Sequence, residues 1–326
     1  MRKYNILVTG VGAIIGYGVI SSLKESKYDV RIIGMDIFND AAGQVWCDEF
    51  VQATLAADDN YIAFLKSVID RYSIDLVFFG TEQEIQKCYE SQVELGDYYN
   101  KLVINKDNLI SLSEDKWDTM CFFKGHELKY IPGSITADYE EASIEFGLPL
   151  LMKPRRSYAS KGICKVSSKE EFDSWKSEYS DQFLVQELVG DEDHEYTAAT
   201  FGFGDGTCIS PIVMRRKLSK AGATDKAIVE PVPGIDEEIY KISKELKPLG
   251  PTNFQFRLHK GDYLLLEINP RISSSTSIRT AFGYNEAEMC IEYFIEGKRP
   301  KDRKLRTGRA YRYIADAVEY NDSNNI

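Results

Sequence analysis

The stretch that decides the fold reads "PTNFQFRLHKGDYLLLEINPRISSST", residues 251–276. Side chains alternate between the two faces of a strand. In the first half, Asn253, Gln255 and Arg257 therefore share one face, while Phe254 and Phe256 turn to the core. In the return half, Glu267, Asn269 and Arg271 share a face, and Leu266 and Ile268 take the other. A turn around "HKGD" joins the two halves as a hairpin. An odd residue count in the loop sets polar face against polar face and makes Gln255 and Glu267 near neighbours. An even count puts Glu267 beside the phenylalanines, a costly place for a carboxylate.

A carboxylate and two amides converging beside an arginine form an oxygen-only ligand set. That set suits Mg²⁺, which takes few protein ligands and completes its shell with water and phosphates. The plain structural alternative is a polar-edged hairpin closed by an Asn-Pro turn.

Outward from the hairpin, the first hundred residues follow a different rhythm. "NILVT", "VRIIGMD", "DLVFFG" and "KLVIN" are near-continuous apolar runs, as in a parallel sheet covered on both faces. Helical spacing at Ile62, Leu65 and Ile69, and a second helix over "EQEIQKCYESQVELGDYY", alternate with them. The pattern predicts a doubly wound α/β domain of four or five strands, ending near 110. Beyond it, strands dominate from 148 to about 270, with helices at "KEEFDSWKSEY" and "DEEIYKISKEL". That part reads as α+β.

The bulk numbers narrow the function. The chain has 326 residues, long enough for two or three domains. A formal charge of −11 argues against nonspecific nucleic-acid binding, which needs basic residues. No apolar run approaches the roughly 20 residues that span a bilayer, and "MRKYNILVTG" reads as a first strand rather than a signal peptide. Six scattered cysteines without CxxC spacing, and only three histidines, make a His/Cys metal site improbable. Free thiols fit a cytoplasmic protein. The basic run 298–312 reads as a solvated connection.

Taken together, "NFQF" and "EINPR" resemble the N-x-Q and E-x-N-P-R strands of the ATP-grasp superfamily, in its carbamoyl-phosphate-synthase-like branch. The other pieces follow upstream in that family's order. "EDK" (114–116) is similar to the lysine that opens the module, "LPLLMKP" (148–154) to its phosphate-lysine strand, "RRSYASKG" (155–162) to its phosphate loop, and "FLVQELVGDEDHEYT" (183–197) to its adenine strand. The loop departs from the pattern in having one glycine, Gly162.

The resemblance implies a Rossmann-like pre-ATP-grasp domain over 1–110, an ATP-grasp N-terminal lobe over 111–190, and a C-terminal lobe carrying the metal site over 191–326. It implies ATP and Mg²⁺ as cofactors, with Mn²⁺ an accepted substitute. Gln255, Glu267 and Asn269 would hold the metal. Arg271 and Lys153 would be catalytic, with Arg271 touching the phosphate in flight. The basic stretch "IVMRRKLSKAGATDKA" (212–227) reads either as a solvated loop or as a place where Arg215 or Lys226 binds the γ-phosphate or an anionic substrate, and Arg215 is the catalytic candidate there. Lys116, Lys153, Ser160, Lys161, Gly162, Glu187, Leu188, Val189 and Glu195 would bind the nucleotide, with Glu187 on the adenine amino group and Glu195 on the ribose. Ser273 to Ser275 and Arg279 are candidates for holding a carboxylate, and "GTEQE" (80–84) for a substrate-side loop.

The activity implied is a ligase that turns a small carboxylate into an acyl phosphate and couples it to an amine. A homodimer is compatible with it; membrane and nucleic acid are not expected partners. The alternatives are a phosphotransferase without an amine step and an NAD-dependent oxidoreductase. The last would use "TGVGAIIGYG" (9–18), but G-x-G-x-x-x-G misses the dinucleotide fingerprint by one residue. The loop reads instead as a tight turn whose helix N-terminus favours an anionic substrate group.

Overall fold

The computed structural model describes residues 3–157, 162–179, 182–219 and 222–318. Two compact units emerge: Met1–Ile104 with Ile272–Arg306 and Tyr311–Ile326, and Asn105–Arg271 with Thr307–Ala310. The segment 272–306, which the family resemblance grouped with the C-terminal lobe, packs in the first unit.

In the first unit, β1 (Tyr4–Thr9), β2 (Val30–Asp36), β3 (Glu49–Gln52) and β4 (Leu76–Phe78) form a parallel sheet in the order β3-β2-β1-β4. Ile6, Leu7, Val8, Ile33 and Val77 are wholly buried, as a sheet covered on both faces requires. "KLVIN" is reduced to a single bridge, Val77 with Leu102. The sheet's remaining strand is β3, a four-residue edge with no buried residue, which carries no apolar run to announce it. The helix expected over 82–99 is broken: Glu82–Glu90 is followed by Gln92–Leu95, which stops at Gly96 with φ +55°.

The glycines of the first loop have packing duties. A Cβ on Gly16 would lie 2.3 Å from the Gly10 carbonyl oxygen, and one on Gly18 would lie 2.8 Å from Thr276 Cγ2. Gly18 thus lets the helix Ile14–Lys24 close on Thr276–Ala281. The hydroxyls of Ser22 and Thr280 meet there at 2.7 Å, and Asn285 Nδ2 donates to the Ser22 carbonyl at 2.7 Å. Arg279, a candidate carboxylate binder by sequence, is instead completely buried in this unit and paired with Glu286 at 3.3 Å. An arginine with no exposed surface cannot receive a substrate.

The second unit holds two antiparallel sheets. The smaller runs β5 (Gly133–Ser134), β8 (Phe183–Glu187), β6 (Leu150–Pro154), β7 (Cys164–Val166). Leu150, Met152, Val166, Phe183 and Val185 form a core with Phe172 and Trp175 from the helix Lys169–Tyr179. The larger sheet has the order β13-β12-β9-β10-β11-β14, from β9 (Glu195–Phe203), β10 (Ile212–Leu218), β11 (Thr224–Val229), β12 (Leu249–His259), β13 (Asp262–Asn269) and β14 (Gly308–Tyr311). Its core face packs Phe254, Phe256, Leu265 and Ile268 against Ile235, Ile239, Ile242 and Leu246 of the helix Ile235–Leu246. Those four helix residues recur at helical spacing, and each contributes about 1.5–3 kcal/mol on burial. Asp236, Glu237 and Glu238 in its first turn suit the helix dipole, and Pro248 follows its end.

Candidate active site

The hairpin β12–β13 turns on two residues, Lys260 and Gly261, both at positive φ, as a tight hairpin turn demands. That is an even loop. Carried on unbroken, its register would set Glu267 opposite Phe254. The register shifts between Gln255 and Phe256, so that Phe256 faces Leu265 but Gln255 faces Glu267. Leu266 is the extra residue of this β-bulge. Leu265, rather than the expected Leu266, therefore takes the core position beside Phe256.

The other strands add to the same polar face. Across β9, Gln255 lies opposite Thr197 and Arg257 opposite Glu195. Arg216 of β10 reaches Glu195 Oε1 at 2.9 Å and Gln255 Oε1 at 2.7 Å, while Arg257 Nη2 donates to Glu195 Oε2 at 2.7 Å. Glu195 is 6% exposed and Arg216 8%, so this is a buried ion-pair network. Glu195, expected on a ribose, is thus clamped between two arginines. At the strand end Arg271 Nη2 donates to Asn269 Oδ1 at 3.2 Å.

Arg215 does not join this group. It lies opposite Tyr196, whose ring belongs to the core face, and pairs with Glu230 at 3.5 Å. Strand alternation therefore corrects the choice between the two adjacent arginines: Arg216 faces Gln255. Lys226 is exposed on β11.

The smaller sheet supplies the lysines. Leu150 and Met152 point into its core, so Lys153, on the opposite face, sits over the cavity side. Lys153 is 6% exposed; burial, with Lys116 nearby, pushes its ammonium down to about 8 against the pull of Glu267. Lys116 opens the helix Lys116–Gly125, and Asp115 caps that helix by accepting from Trp117 N and Asp118 N. Asp115 also binds Arg155 at 2.8 Å. Burial alone would raise the Asp115 carboxyl, but Arg155 and the cap N–H groups outweigh it and hold it below its ordinary value. Arg155 is thus a tie between helix and strand. Lys116 Nζ donates to Ser157 at 3.0 Å.

Lys116, Lys153, Gln186 and Glu267 line one cavity of about 40 Å³, together with Tyr130 and Ile131. Gln186 is a residue that sequence reasoning passed over. Its Nε2 donates to the Ile131 carbonyl, whereas Oε1 is buried with no hydrogen-bond partner. Only strand alternation, which sets Gln186 on the face of Lys153, could have signalled it. Its neighbour Glu187 turns the other way, accepting from His259 Nε2 and Lys260 Nζ, each at 3.2 Å. Leu188 is half-buried and Val189 buried, with the Val189 carbonyl accepting from Arg257 at 3.4 Å. Gly162 has φ +77°, and its carbonyl accepts from Trp175 Nε1. Ser160 and Lys161 lie outside the described residues.

The face thus sets Lys116, Lys153, Arg216, Arg257 and Arg271 against Glu195 and Glu267. An excess of cations beside one carboxylate and two amide oxygens fits a polyanion bound with a hard cation. Among the described residues no three His, Cys, Asp or Glu side chains cluster as a metal cage. The donor set fits Mg²⁺ only as a partial shell shared with phosphate oxygens; Gln255 Oε1 and Asn269 Oδ1 each keep a second lone pair beside their arginine.

In the first unit, Asp36 Oδ2 accepts the Gly12 N–H at 2.8 Å and Oδ1 the Phe38 N–H at 3.1 Å. The loop donor and the acid on which a dinucleotide would rely are bonded to each other. No helix among the described residues is long and apolar enough to cross a membrane.

Known proteins carry the same architecture. Residues 180–317 match a family model described as "ATP-grasp in the biosynthetic pathway with Ter operon". The arginine-specific carbamoyl phosphate synthase large chain of Bacillus subtilis is 24% identical over 354 aligned positions, covering 97% of this chain and 33% of the relative. The chain spans about a third of the length of the first curated relatives it matches. Among solved structures, N5-carboxyaminoimidazole synthetase from Staphylococcus aureus complexed with ADP superposes with a TM-score of 0.73 at 16% identity, covering 93% of this chain and 81% of that one. L-amino acid ligase from Bacillus licheniformis gives 0.66 at 13% identity, over 90% of this chain and 74% of the ligase. At such identities a structure speaks for fold alone. With the family model and the synthase relatives beside it, the chain belongs to the ATP-grasp superfamily and is a distant homologue of the carbamoyl phosphate synthase large chains.

Proposed function

We propose that this chain is an ATP- and Mg²⁺-dependent ligase that activates a small carboxylate as an acyl phosphate and couples it to an amine. The observation that carries the reading is Glu267 opposite Gln255, on the polar face that also bears Arg216 and Arg257. Phosphoryl transfer asks a protein mainly for positioning and neutralisation of charge. Lys116 and Lys153 supply that for the phosphates, and Arg271 for the group in transfer. Gln255, Glu267 and Asn269 would hold Mg²⁺, which when bound would neutralise charge on the nucleotide's phosphates. The buried Gln186 Oε1 is an acceptor suited to the amino group of adenine.

In the chemical steps, a carboxylate oxygen attacks the γ-phosphorus and ADP leaves. The amine nitrogen then attacks the acyl carbon, phosphate leaves, and the nitrogen proton passes to solvent. No nucleophilic side chain is needed. A fold shared with an L-amino acid ligase and a distant kinship with carbamoyl phosphate synthases support this class. The test is a matrix of carboxylates and amines scored for ADP release and amide product. Amide formed only when both substrates are present supports the ligase; a stable phosphorylated carboxylate formed without amine supports a phosphotransferase instead.

A further inference from the structure

The segment that leaves β8 is gripped by the end of β12. His259, the last residue of β12, is half-buried and bonds at both ring nitrogens. Nδ1 accepts the Gly190 N–H at 3.0 Å, and Nε2 meets Glu187 Oε1 at 3.2 Å. The two bonds fix the tautomer. A backbone N–H only donates, so Nδ1 carries no proton; the ring proton sits on Nε2 and is donated to the carboxylate. One ring therefore spans Leu188 and Val189, holding the residue before the pair and the residue after it.

The approach is close. Gly190 has φ +55°, and a Cβ there would lie 2.4 Å from the Leu258 carbonyl oxygen and 2.7 Å from Arg257 Cγ. Glycine alone lets the backbone lie this near β12. Two further contacts bind the same stretch, Arg257 to the Val189 carbonyl at 3.4 Å and Lys260 to Glu187 at 3.2 Å. Both are weaker: the first is long, and the Lys260 side chain is 74% exposed, where an ion pair contributes little. His259 is thus the chief fastening. Glu187, expected on the adenine amino group, is committed here instead and orients the ring that holds Gly190.

We propose that His259 is a positioning residue for the nucleotide: by fastening Gly190 it fixes the Leu188–Val189 backbone in the orientation that reads the edge of the base. Backbone groups serve a binding site only when held within roughly 0.5 Å and 10–20° of the productive geometry, and this stretch lies between β8 and β9, outside both strands. In this role His259 touches neither base nor phosphates and acts through Gly190. The inference rests on the reading of Leu188 and Val189 as nucleotide contacts.

Two variants of the full chain dissect the contact. Asparagine places an amide oxygen where Nδ1 stood and keeps the Gly190 bond; glutamine places its amide at the Nε2 position and keeps only the bond to Glu187. Both retain a polar group at a half-buried site, so thermal melting should stay near that of the wild type. Calorimetry then compares Mg-ATP with Mg-tripolyphosphate, which has the phosphates without the base. His259→Gln should weaken Mg-ATP about tenfold and leave Mg-tripolyphosphate unchanged, while His259→Asn should stay within about threefold of wild type for both. A merely structural role would move both ligands together. Unchanged Mg-ATP affinity in His259→Gln, equal loss in the two variants, or a parallel loss of tripolyphosphate would overturn the proposal. A wild-type chain that binds Mg-ATP no tighter than Mg-tripolyphosphate would refute the nucleotide assignment itself, and the proposal with it.

Discussion

Gln255 and Glu267 stand directly opposite one another across the β12–β13 hairpin, and they do so because Leu266 is bulged out of the ladder beside them. A two-residue turn alone would have set Glu267 against Phe254. Register, and with it the whole polar face, hangs on one residue in the run Leu264–Leu266. Removing one leucine regularises the hairpin and leaves Glu267 opposite Gln255, so folding and Mg-ATP binding should persist. Inserting one leucine into a ladder that closes without the bulge sets the carboxylate opposite Asn253, on the polar face but displaced from Gln255. That variant should remain folded in a denaturant titration but lose measurable Mg-ATP binding by calorimetry, because Glu267 no longer faces Gln255.

Lys153 gives a pH dependence with a definite sign. Its folded value of about 8 lies below the ordinary 10.5, so between these the unfolded chain binds more protons than the folded one. Stability should therefore rise as pH increases from about 8 toward 10.5, by roughly 3 kcal/mol for this group alone. Lys153→Met should remove that rise in a comparison of denaturant midpoints. Nucleotide affinity should move the other way, falling above pH 8 as the ammonium discharges in the free protein.

The two neighbouring arginines should separate cleanly. Arg216→Ala leaves buried Glu195 with Arg257 as its remaining arginine and should cost about 3 kcal/mol in urea unfolding. Arg215→Ala removes a half-exposed contact to Glu230 and should cost under about 1 kcal/mol, with turnover nearly unchanged. A result with the two reversed would mean that the strand faces are misassigned.

Gly18 offers a test confined to the first unit. Alanine is ordinarily favoured over glycine within a helix by up to about 1 kcal/mol. Here its Cβ would meet Thr276 Cγ2 at 2.8 Å, and Gly18→Ala should instead destabilise by about 1–3 kcal/mol. Thr276→Ser deletes that methyl, so the double variant should recover most of the loss, read as the coupling energy of the cycle.

Much of this was legible in the chain. Alternation along 253–257 and 267–269 named the polar face, because two-residue periodicity is local and survives any tertiary detail. The parallel sheet announced itself wherever burial on both faces made a run apolar, as in β1 and β2. It stayed silent at β3, whose edge position demands no such run, and overstated "KLVIN", of which only Leu102 bridges to the sheet. Gln186, Arg216 and Arg257 were harder, since their parts depend on which strand faces which. Choosing Arg216 over Arg215 required the register of β9 against β10, a fact of pairing rather than of either strand. Arg279 misled for a related reason: burial with Glu286 is invisible until the segment 272–306 is placed.

The central claim is that a carboxylate is activated by phosphoryl transfer and then joined to an amine. It is tested most directly with a carboxylate substrate carrying ¹⁸O in both oxygens, turned over with ATP and amine, and the released phosphate analysed by mass. An acyl phosphate route predicts that each phosphate carries one ¹⁸O from the substrate and that Glu267→Ala abolishes its formation. Unlabelled phosphate released with amide product, or labelled phosphate released undiminished by Glu267→Ala, would contradict the account.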